Sequence, residues 1–178
     1  MPSIASLVSL LPAALALAGS ASAATIGSRD PTREYYVRTF AVEHNRFDNM
    51  YLYGINIDAG VKSALLSPFR SSAVKGYMDE SQQWFAYGTQ YPYGLNMNED
   101  TLEAGLRDVT LTSNDGTKGF KFGANGIEWD GDKGFGGWVA CEAETKTDPV
   151  LHWVTNGEGD DALIPVRCAK VNINATPI

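Results

Sequence analysis

Histidine and cysteine are both scarce in this chain, whose 178 residues contain only two of each. With no H-E-x-x-H pair and no clustered thiols, the sequence predicts neither a metal site nor a bound cofactor. The G-x-S-x-G pattern, which carries the nucleophilic serine of α/β-hydrolases, is absent. So are the glycine-rich motifs that bind nucleotide phosphates. These absences exclude the best-known signatures of metalloenzymes, serine hydrolases and nucleotide-binding enzymes.

Positive charge is also limited. Fourteen Lys and Arg residues face 21 Asp and Glu residues, which gives a formal net charge of −7. Such a chain repels phosphate backbones and anionic lipid head groups. The composition therefore predicts neither a nucleic-acid partner nor a membrane partner.

Charge is missing altogether from the beginning of the chain, where no charged side chain precedes Arg29. The apolar run at residues 7–18 is shorter than the roughly 20 residues that span a bilayer. Ala-Ser-Ala at residues 21–23 fits the small-x-small pattern of signal peptidase. The predicted segments are a signal peptide at 1–23, a flexible leader at 24–33 and a single β domain at 34–178. This organisation predicts secretion, either into the medium or to the cell wall.

If the protein is exported as predicted, two covalent modifications are expected, a disulfide and N-glycosylation. In an oxidising compartment, Cys141 and Cys168 most simply form one disulfide, although a catalytic thiol is an alternative. Asn174-Ala175-Thr176 is the one N-x-S/T sequon in the chain. We therefore predict Asn174 as a glycosylation site whose occupancy is left open by its position near the end of the chain.

Alternation of apolar and polar residues recurs along the chain, whereas helical periodicity is scarce. In MYLYGINID, the residues Tyr51, Tyr53, Ile55 and Ile57 share one face, which is typical of a half-buried strand. About ten such short strands are separated by Gly, Asn, Asp and Pro clusters. The pattern predicts a mainly β, antiparallel sandwich or barrel with at most one or two short helices.

Two local predictions concern residues 98–122. The stretch NEDTLEAGLRD at 98–108 is the one with a helical pattern, which Gly105 limits to a turn or two. The alternation in residues 107–122 predicts a hairpin in which Asp115-Gly116 forms the tight turn. Asn125-Gly126 marks a further turn immediately afterwards.

The stretch FGGWVACE at 135–142 contains adjacent glycines before a β-prone run. Phosphate-binding loops place their glycines after a strand and at the start of a helix, which is the reverse order. We therefore interpret this stretch as a strand. Gly136 and Gly137 would let the chain bend, so that Trp138 enters the core and Cys141 reaches Cys168.

Aromatic side chains crowd into QQWFAYGTQYPYGLNM. Strand alternation turns about half of them inward, so core packing explains most of the cluster. Exposed rings stack on the apolar faces of sugars, while neighbouring amides bind hydroxyl groups. We predict Trp84, Tyr91 and Tyr93 as the ligand-binding residues.

Glycoside hydrolysis needs only two well-placed carboxylates, which 21 acidic residues could supply. Glu142 and Glu144 are the candidate catalytic pair because a continuing strand would put both on one face, although a solvated edge explains them as simply. His152 lies in a strand beside Trp153, and His44 lies in the polar stretch EHNRFDN. We interpret the two histidines as a packed or surface residue and a loop residue rather than as general bases.

Six ordered segments resemble, in the same order, an uncharacterised family of small secreted proteins of filamentous fungi. They are YYVRTF, MYLYGINIDAG, WFAYGTQYPYGLNM, GFKFGANGIEW, FGGWVACE and RCAKVNI. The most specific pieces are YGTQYPYGL and FGGWVAC, and the resemblance covers nearly the whole mature chain. It implies a fungal source, a secreted β-rich domain and a role at the cell surface or toward a host. It implies no catalytic residues.

Together these observations favour a secreted, non-catalytic protein that binds a cell-wall glycan or a host component. One alternative is a small glycan-active hydrolase that uses a carboxylate pair. Another is a structural wall protein or virulence effector with a protein partner. The oligomeric state is not predicted by any of these patterns.

Overall fold

A computed structural model describes residues 34–42, 46–102, 105–132, 134–143, 148–156 and 164–178. Within these ranges the chain forms short strands and a 3-10 turn at Arg70–Ser72. The strands are β1 (Tyr35–Ala41), β2 (Tyr51–Asp58), β3 (Val61–Ser67), β4 (Lys75–Asp79), β5 (Gln82–Ala86), β6 (Tyr93–Thr101), β7 (Arg107–Ser113), β8 (Phe120–Gly123), β9 (Gly126–Trp129), β10 (Phe135–Cys141), β11 (Val150–Thr155) and β12 (Cys168–Pro177). Across the described residues, no helix has the length and apolar character needed to cross a membrane.

Ten of the strands form one antiparallel sheet in the order β10-β12-β1-β2-β3-β11-β7-β6-β5-β4. Further pairings of β10 with β11, β1 with β4 and β3 with β7 bring the sheet back onto itself. The result is a nine-stranded antiparallel barrel with one extra strand. Strands β8 and β9 form a separate two-stranded hairpin. The prediction of a mainly β antiparallel architecture is confirmed.

The β8–β9 hairpin packs into the core of the barrel. Phe120 of the hairpin stacks on Trp138 with ring centres 6.5 Å apart, and Trp129 meets Trp153 edge-on at 5.0 Å. The indole Nε1 of Trp138 donates a hydrogen bond to the carbonyl oxygen of Ile127 at 2.6 Å. Because these rings are buried, the hairpin completes the core instead of lying on the surface.

A second, smaller core cluster lies on the other face of β10 and β11. In β10, Trp138 and Ala140 belong to the main core, while Val139 and Cys141 belong to the second cluster. Cys141 is the cross-strand neighbour of Cys168 and forms the predicted disulfide with it. The predictions of a strand in FGGWVACE and of this disulfide are confirmed.

The hairpin predicted at residues 107–122 is wrong, and the helical stretch predicted at 98–108 begins as a strand, while its residues 103–104 lie outside the described residues. Strand β6 continues through residues 98–101, so this part is extended. Strand β7 pairs with β6, β3 and β11, and β8 pairs with β9 instead. After β7 the chain turns at Asn114, which has a φ of 57°, and the backbone of Thr117 then bonds to Leu95. Local alternation predicted the strands but could not show that their partners lie far away in sequence.

The alternation in β2 is present, but its Tyr and Ile residues face outward. Leu52 is fully buried, and a Cβ at Gly54 would collide with the side chain of Leu111, so these positions face inward. Ile55 and Ile57 remain 45% and 56% exposed. The face of β2 that carries the Tyr and Ile side chains therefore lies on the surface of the barrel.

Three buried or hydrogen-bonded tyrosines make the fold sensitive to alkali. Burial raises the pKa values of Tyr35, Tyr53 and Tyr87 well above the ordinary value for tyrosine, and Asp148 raises that of Tyr53 further. Such a phenol keeps its proton in the native state at a pH where the unfolded chain has lost it. Its contribution to stability is therefore complete below about pH 10 and is lost progressively above that pH.

Raising the pH from about 8 to about 11 should lower the free energy of unfolding, since the unfolded tyrosines ionise near pH 10. Each fully protected tyrosine contributes a slope of at most about 1.4 kcal/mol per pH unit. Denaturant unfolding at each pH, followed by circular dichroism, measures the effect. The Tyr35→Phe variant should show a shallower decline because it removes one of these phenols. A free energy of unfolding that stays constant over this range would contradict the prediction.

Candidate functional site

The sheet divides next to the two glycines of FGGWVACE. Strand β12 pairs with β10 from Cys168 to Val171 and with β1 as far as Pro177. Where it pairs with β11, β10 is irregular between Phe135 and Gly137. A cleft of about 360 Å³ opens there between β10, β12 and the turn of the β8–β9 hairpin. We refer to it as the fork cleft.

Polar and apolar groups both line the fork cleft. The hairpin contributes Asn125 and Glu128, β12 contributes Lys170 and Asn172, and β10 contributes the ring of Phe135. Amides, a carboxylate and an ammonium group together supply hydrogen-bond donors and acceptors. The volume falls at the lower end of the range of about 300–1,000 Å³ that small-ligand pockets occupy. The cleft is therefore suited to a small polar ligand or to one unit of a polymer.

Gly136 and Gly137 shape the fork cleft in different ways. A Cβ at Gly136 would overlap the backbone of Thr155, so β10 can approach β11 closely at this position only with glycine. Gly137 has a φ of 126°, and nothing lies within 4 Å of the place where its Cβ would be. The predicted bend that brings Trp138 into the core is present. The open space beside Gly137 is part of the fork cleft. The sequence pattern did not indicate that this glycine lines a cleft.

Glu128 is held in place by the turn of the hairpin. Its Oε1 accepts a hydrogen bond from the backbone N–H of Asn125 at 3.1 Å. Gly123 lies against the carboxylate, where a larger residue would overlap it. Because the carboxylate is already positioned, it can accept hydrogen bonds from a ligand at little further cost in side-chain entropy.

The three aromatic residues predicted to bind a ligand do not share one surface. Trp84 is half-buried on the outer face of β5, opposite Tyr77 of β4. Tyr93 is the cross-strand neighbour of the fully buried Phe85 and therefore points inward. Tyr91 lies in the loop between β5 and β6 and is 49% exposed. The structure therefore does not bring the three rings together, and a ligand contact by each of them stays a prediction.

The inward position of Tyr93 is stabilised by two neighbours. Its ring meets Tyr87 edge-on with centres 5.1 Å apart. The Nζ atom of Lys62 lies 4.9 Å from the centre of Tyr93 and 4.7 Å from that of Tyr87. These cation–π contacts place the lysine on both rings and leave less of Tyr93 for a ligand.

The candidate catalytic carboxylates lie away from the fork cleft or outside the described residues. Glu142 is exposed, and its Oε1 lies 3.1 Å from Nε of Arg46 in an ion pair. Glu144 lies outside the described residues, as does His44. A catalytic role for the pair of glutamates therefore stays a prediction.

The predicted glycosylation site lies in β12. Asn174 is half-buried there, and its Oδ1 is shielded from solvent. Gly126 of the hairpin turn approaches this side chain so closely that a Cβ would overlap it. Glycosylation of Asn174 stays a prediction. A glycan on this side chain would occupy the space that the hairpin turn takes in the folded protein.

A smaller cavity of about 140 Å³ lies beside the disulfide and is lined in part by His152, Glu142 and Arg167. Nδ1 of His152 lies 3.2 Å from Oδ1 of Asp108, and the imidazole is buried. The lining residues that the structure describes include no serine or threonine, and both cysteines are disulfide-bonded. Within the described ranges, no group of three His, Cys, Asp or Glu side chains could hold a metal ion. The geometry agrees with the interpretation of His152 as a packed histidine.

Comparison with known families matches residues 32–177 to a domain of unknown function, DUF7907. The chain belongs to this family. The match covers every described strand, including those that form the fork cleft. No curated protein and no solved structure shows a significant match. The prediction of an uncharacterised family is therefore confirmed, and the family description assigns no activity to it.

Proposed function

We propose that this DUF7907 protein is a secreted fungal protein that binds a cell-wall glycan in the fork cleft and does not cleave it. The convergence of Asn125, Glu128 and Asn172 beside Phe135 carries this proposal. Secretion rests on the predicted signal peptide at 1–23, and the fungal source rests on the sequence resemblance. The disulfide is consistent with secretion because such bonds persist in oxidising compartments.

Sugar recognition requires two kinds of contact that this cleft combines. Hydroxyl groups both donate and accept hydrogen bonds, so amides and a carboxylate make suitable partners. The apolar CH face of a sugar ring packs on an aromatic ring, a role we assign to the half-buried Phe135. That ring is itself positioned by Trp138, which it meets edge-on at 5.0 Å.

Binding is favoured over hydrolysis by the distribution of carboxylates. Glycosidases place two carboxyl groups about 5–10 Å apart across the scissile bond. Among the described residues that line the fork cleft, Glu128 is the one carboxylate. Glu142 lies outside this cleft and is paired with Arg46.

Co-sedimentation of the purified protein with insoluble chitin, β-glucan, cellulose and xylan tests the proposal. We expect the wild-type protein to be retained by at least one of these polymers. Glu128→Gln and Asn172→Ala should each weaken that retention about tenfold, because a lost hydrogen bond to a charged or buried group costs about 1–3 kcal/mol.

Glu142→Gln is the matched control, since it makes the same chemical change on an exposed carboxylate outside the cleft. Its retention should equal that of the wild-type protein. Mass spectrometry of the supernatants shows whether sugars are released. Released oligosaccharides would refute the non-catalytic assignment, and retention on none of the polymers would refute glycan binding by the cleft.

A further inference from the structure

A second surface, on the outer face of the barrel, carries cations and aromatic rings in alternation. Cζ of Arg70 lies 5.2 Å from the ring centre of Tyr36, which meets Tyr51 edge-on at 6.2 Å. Cζ of Arg38 lies 5.4 Å from the centre of Tyr51 and 5.6 Å from that of Phe40. We term these five side chains the arginine–tyrosine ladder.

Strand geometry explains why the ladder faces outward. In β1, alternate residues are buried, which leaves Tyr36, Arg38 and Phe40 on the outer face. Tyr51 at the start of β2 is the cross-strand neighbour of Arg38 and lies on the same face. The 3-10 turn after β3 then supplies Arg70, which is exposed.

The two arginines of the ladder form no direct ion pair within the described part of the chain. Among the described residues, neither Arg38 nor Arg70 has a carboxylate within ion-pair distance. Arg38 donates a hydrogen bond from Nη2 to the side-chain oxygen of Asn49, while its Nε is buried without a partner. Cation–π contacts hold both guanidinium groups in place before any ligand arrives. On a chain of net charge −7, two guanidinium groups without a direct ion pair to a described residue therefore lie on one surface.

We infer that the ladder binds an acidic polysaccharide, namely a polyuronate that carries a carboxylate on each sugar ring. A guanidinium group binds a carboxylate through two parallel N–H···O hydrogen bonds, which a neutral sugar cannot accept in the same way. The hydroxyls of Tyr36 and Tyr51 have no hydrogen-bond partner among the described residues and can bond to sugar hydroxyls. Phe69, which precedes Arg70 and is 68% exposed, offers an apolar contact for a ring face.

A nucleic acid also carries anionic groups, but it fits the ladder less well. Unpaired bases bind by stacking on free aromatic faces, and here guanidinium groups lie over the rings of Tyr36 and Tyr51. The proposed ligand differs from the neutral polymers of the fork cleft, so the inference goes beyond the proposed function and does not depend on it.

Affinity electrophoresis of the full-length folded protein in gels that contain polygalacturonate tests the inference. The same polymer with its carboxylates methyl-esterified keeps the sugar chain and removes the charge. We expect retardation by polygalacturonate and at least about tenfold weaker retardation by the esterified polymer, because the bidentate carboxylate contacts are lost. Rising salt should also weaken binding to the charged polymer.

The double variant Arg38→Gln/Arg70→Gln should bind polygalacturonate at least about tenfold more weakly. The matched control is Arg46→Gln/Lys121→Gln, which removes the same charge at two exposed positions outside the ladder and should bind within about twofold of wild type. Circular dichroism verifies that each variant is folded. If the double variant does not fold, the exposed Arg70→Gln variant and the esterified polymer still decide the question.

Three outcomes would overturn the inference. These are equal retardation by the esterified polymer, undiminished binding by the folded ladder variants, and tighter binding to single-stranded nucleic acid or anionic vesicles than to polygalacturonate. Glu128→Gln should leave polygalacturonate binding unchanged, so a failure of the fork cleft is distinguished from a failure of the ladder. Phe40 is not substituted because it is the cross-strand neighbour of Asn172, which lines the cleft.

Discussion

Replacing Trp138 by alanine should lower the free energy of unfolding by about 3–5 kcal/mol. The indole is 2% exposed, stacks on Phe120 and meets Phe135 edge-on. Its Nε1 also donates to the carbonyl oxygen of Ile127. The substitution leaves a cavity between the barrel and the β8–β9 hairpin and removes the partner of a backbone carbonyl.

Guanidinium unfolding followed by circular dichroism measures this loss. Trp84→Ala is the matched control, because Trp84 is half-buried on the outer face and its removal creates no closed cavity. Trp138→Phe should fall between the two, since it keeps most of the ring contacts but not the hydrogen bond. A loss of about 0.5 kcal/mol or less for Trp138→Ala, the range of ordinary surface substitutions, would contradict the packing described here.

Replacing Cys141 and Cys168 together by alanine should lower the free energy of unfolding by about 3–4 kcal/mol, the chain-entropy value for a loop of this length. The disulfide closes 27 residues of sequence and joins the cross-strand neighbours of β10 and β12. Without it, the unfolded chain gains conformational freedom, while the native strands keep their hydrogen bonds. Alanine avoids placing a polar hydroxyl in the second core cluster.

Unfolding with and without a reducing agent separates the disulfide from other effects. Reduction should destabilise the wild-type protein by a similar amount and leave the double alanine variant unchanged. Intact mass after alkylation under non-reducing conditions should show no free thiol. Two alkylated cysteines in the native protein, or equal stability of variant and wild type, would rule the prediction out.

Much of the fold could be predicted from local patterns. The stretch FGGWVACE was predicted to be a strand because Trp138 and Ala140 alternate with Val139 and Cys141. In the structure it forms β10. The disulfide followed from the number of cysteines. The strand prediction depends only on neighbouring residues, and the disulfide prediction depends only on there being one possible pair of cysteines.

Predictions that needed a distant partner failed. Residues 98–101 begin the stretch predicted as helical at 98–108, but they extend β6 because β7 pairs with that strand. The Asp115-Gly116 turn was expected to join β7 to β8, whereas β8 pairs with β9. Hydrogen bonding across the sheet outweighed the preference of the isolated segments in both places.

Sequence alternation likewise could not decide which face of a strand lies inside. Tyr51 and Ile55 share a face as predicted, yet that face is outward because Leu52 and Gly54 fill the restricted interior. The arginine–tyrosine ladder follows from this choice. It joins residues of β1, β2 and a turn, and no motif in the sequence indicates it.

The sequence by itself determined the antiparallel β class, the disulfide and the bend at Gly136 and Gly137, because alternation, cysteine number and glycine are local properties. The tertiary structure alone decided that Trp84 and Tyr93 lie on opposite faces. It also formed the fork cleft from Glu128, Gly137 and Asn172, which belong to three different strands. A site of this kind depends on where one strand stops pairing with another, and that is set by packing of the whole barrel.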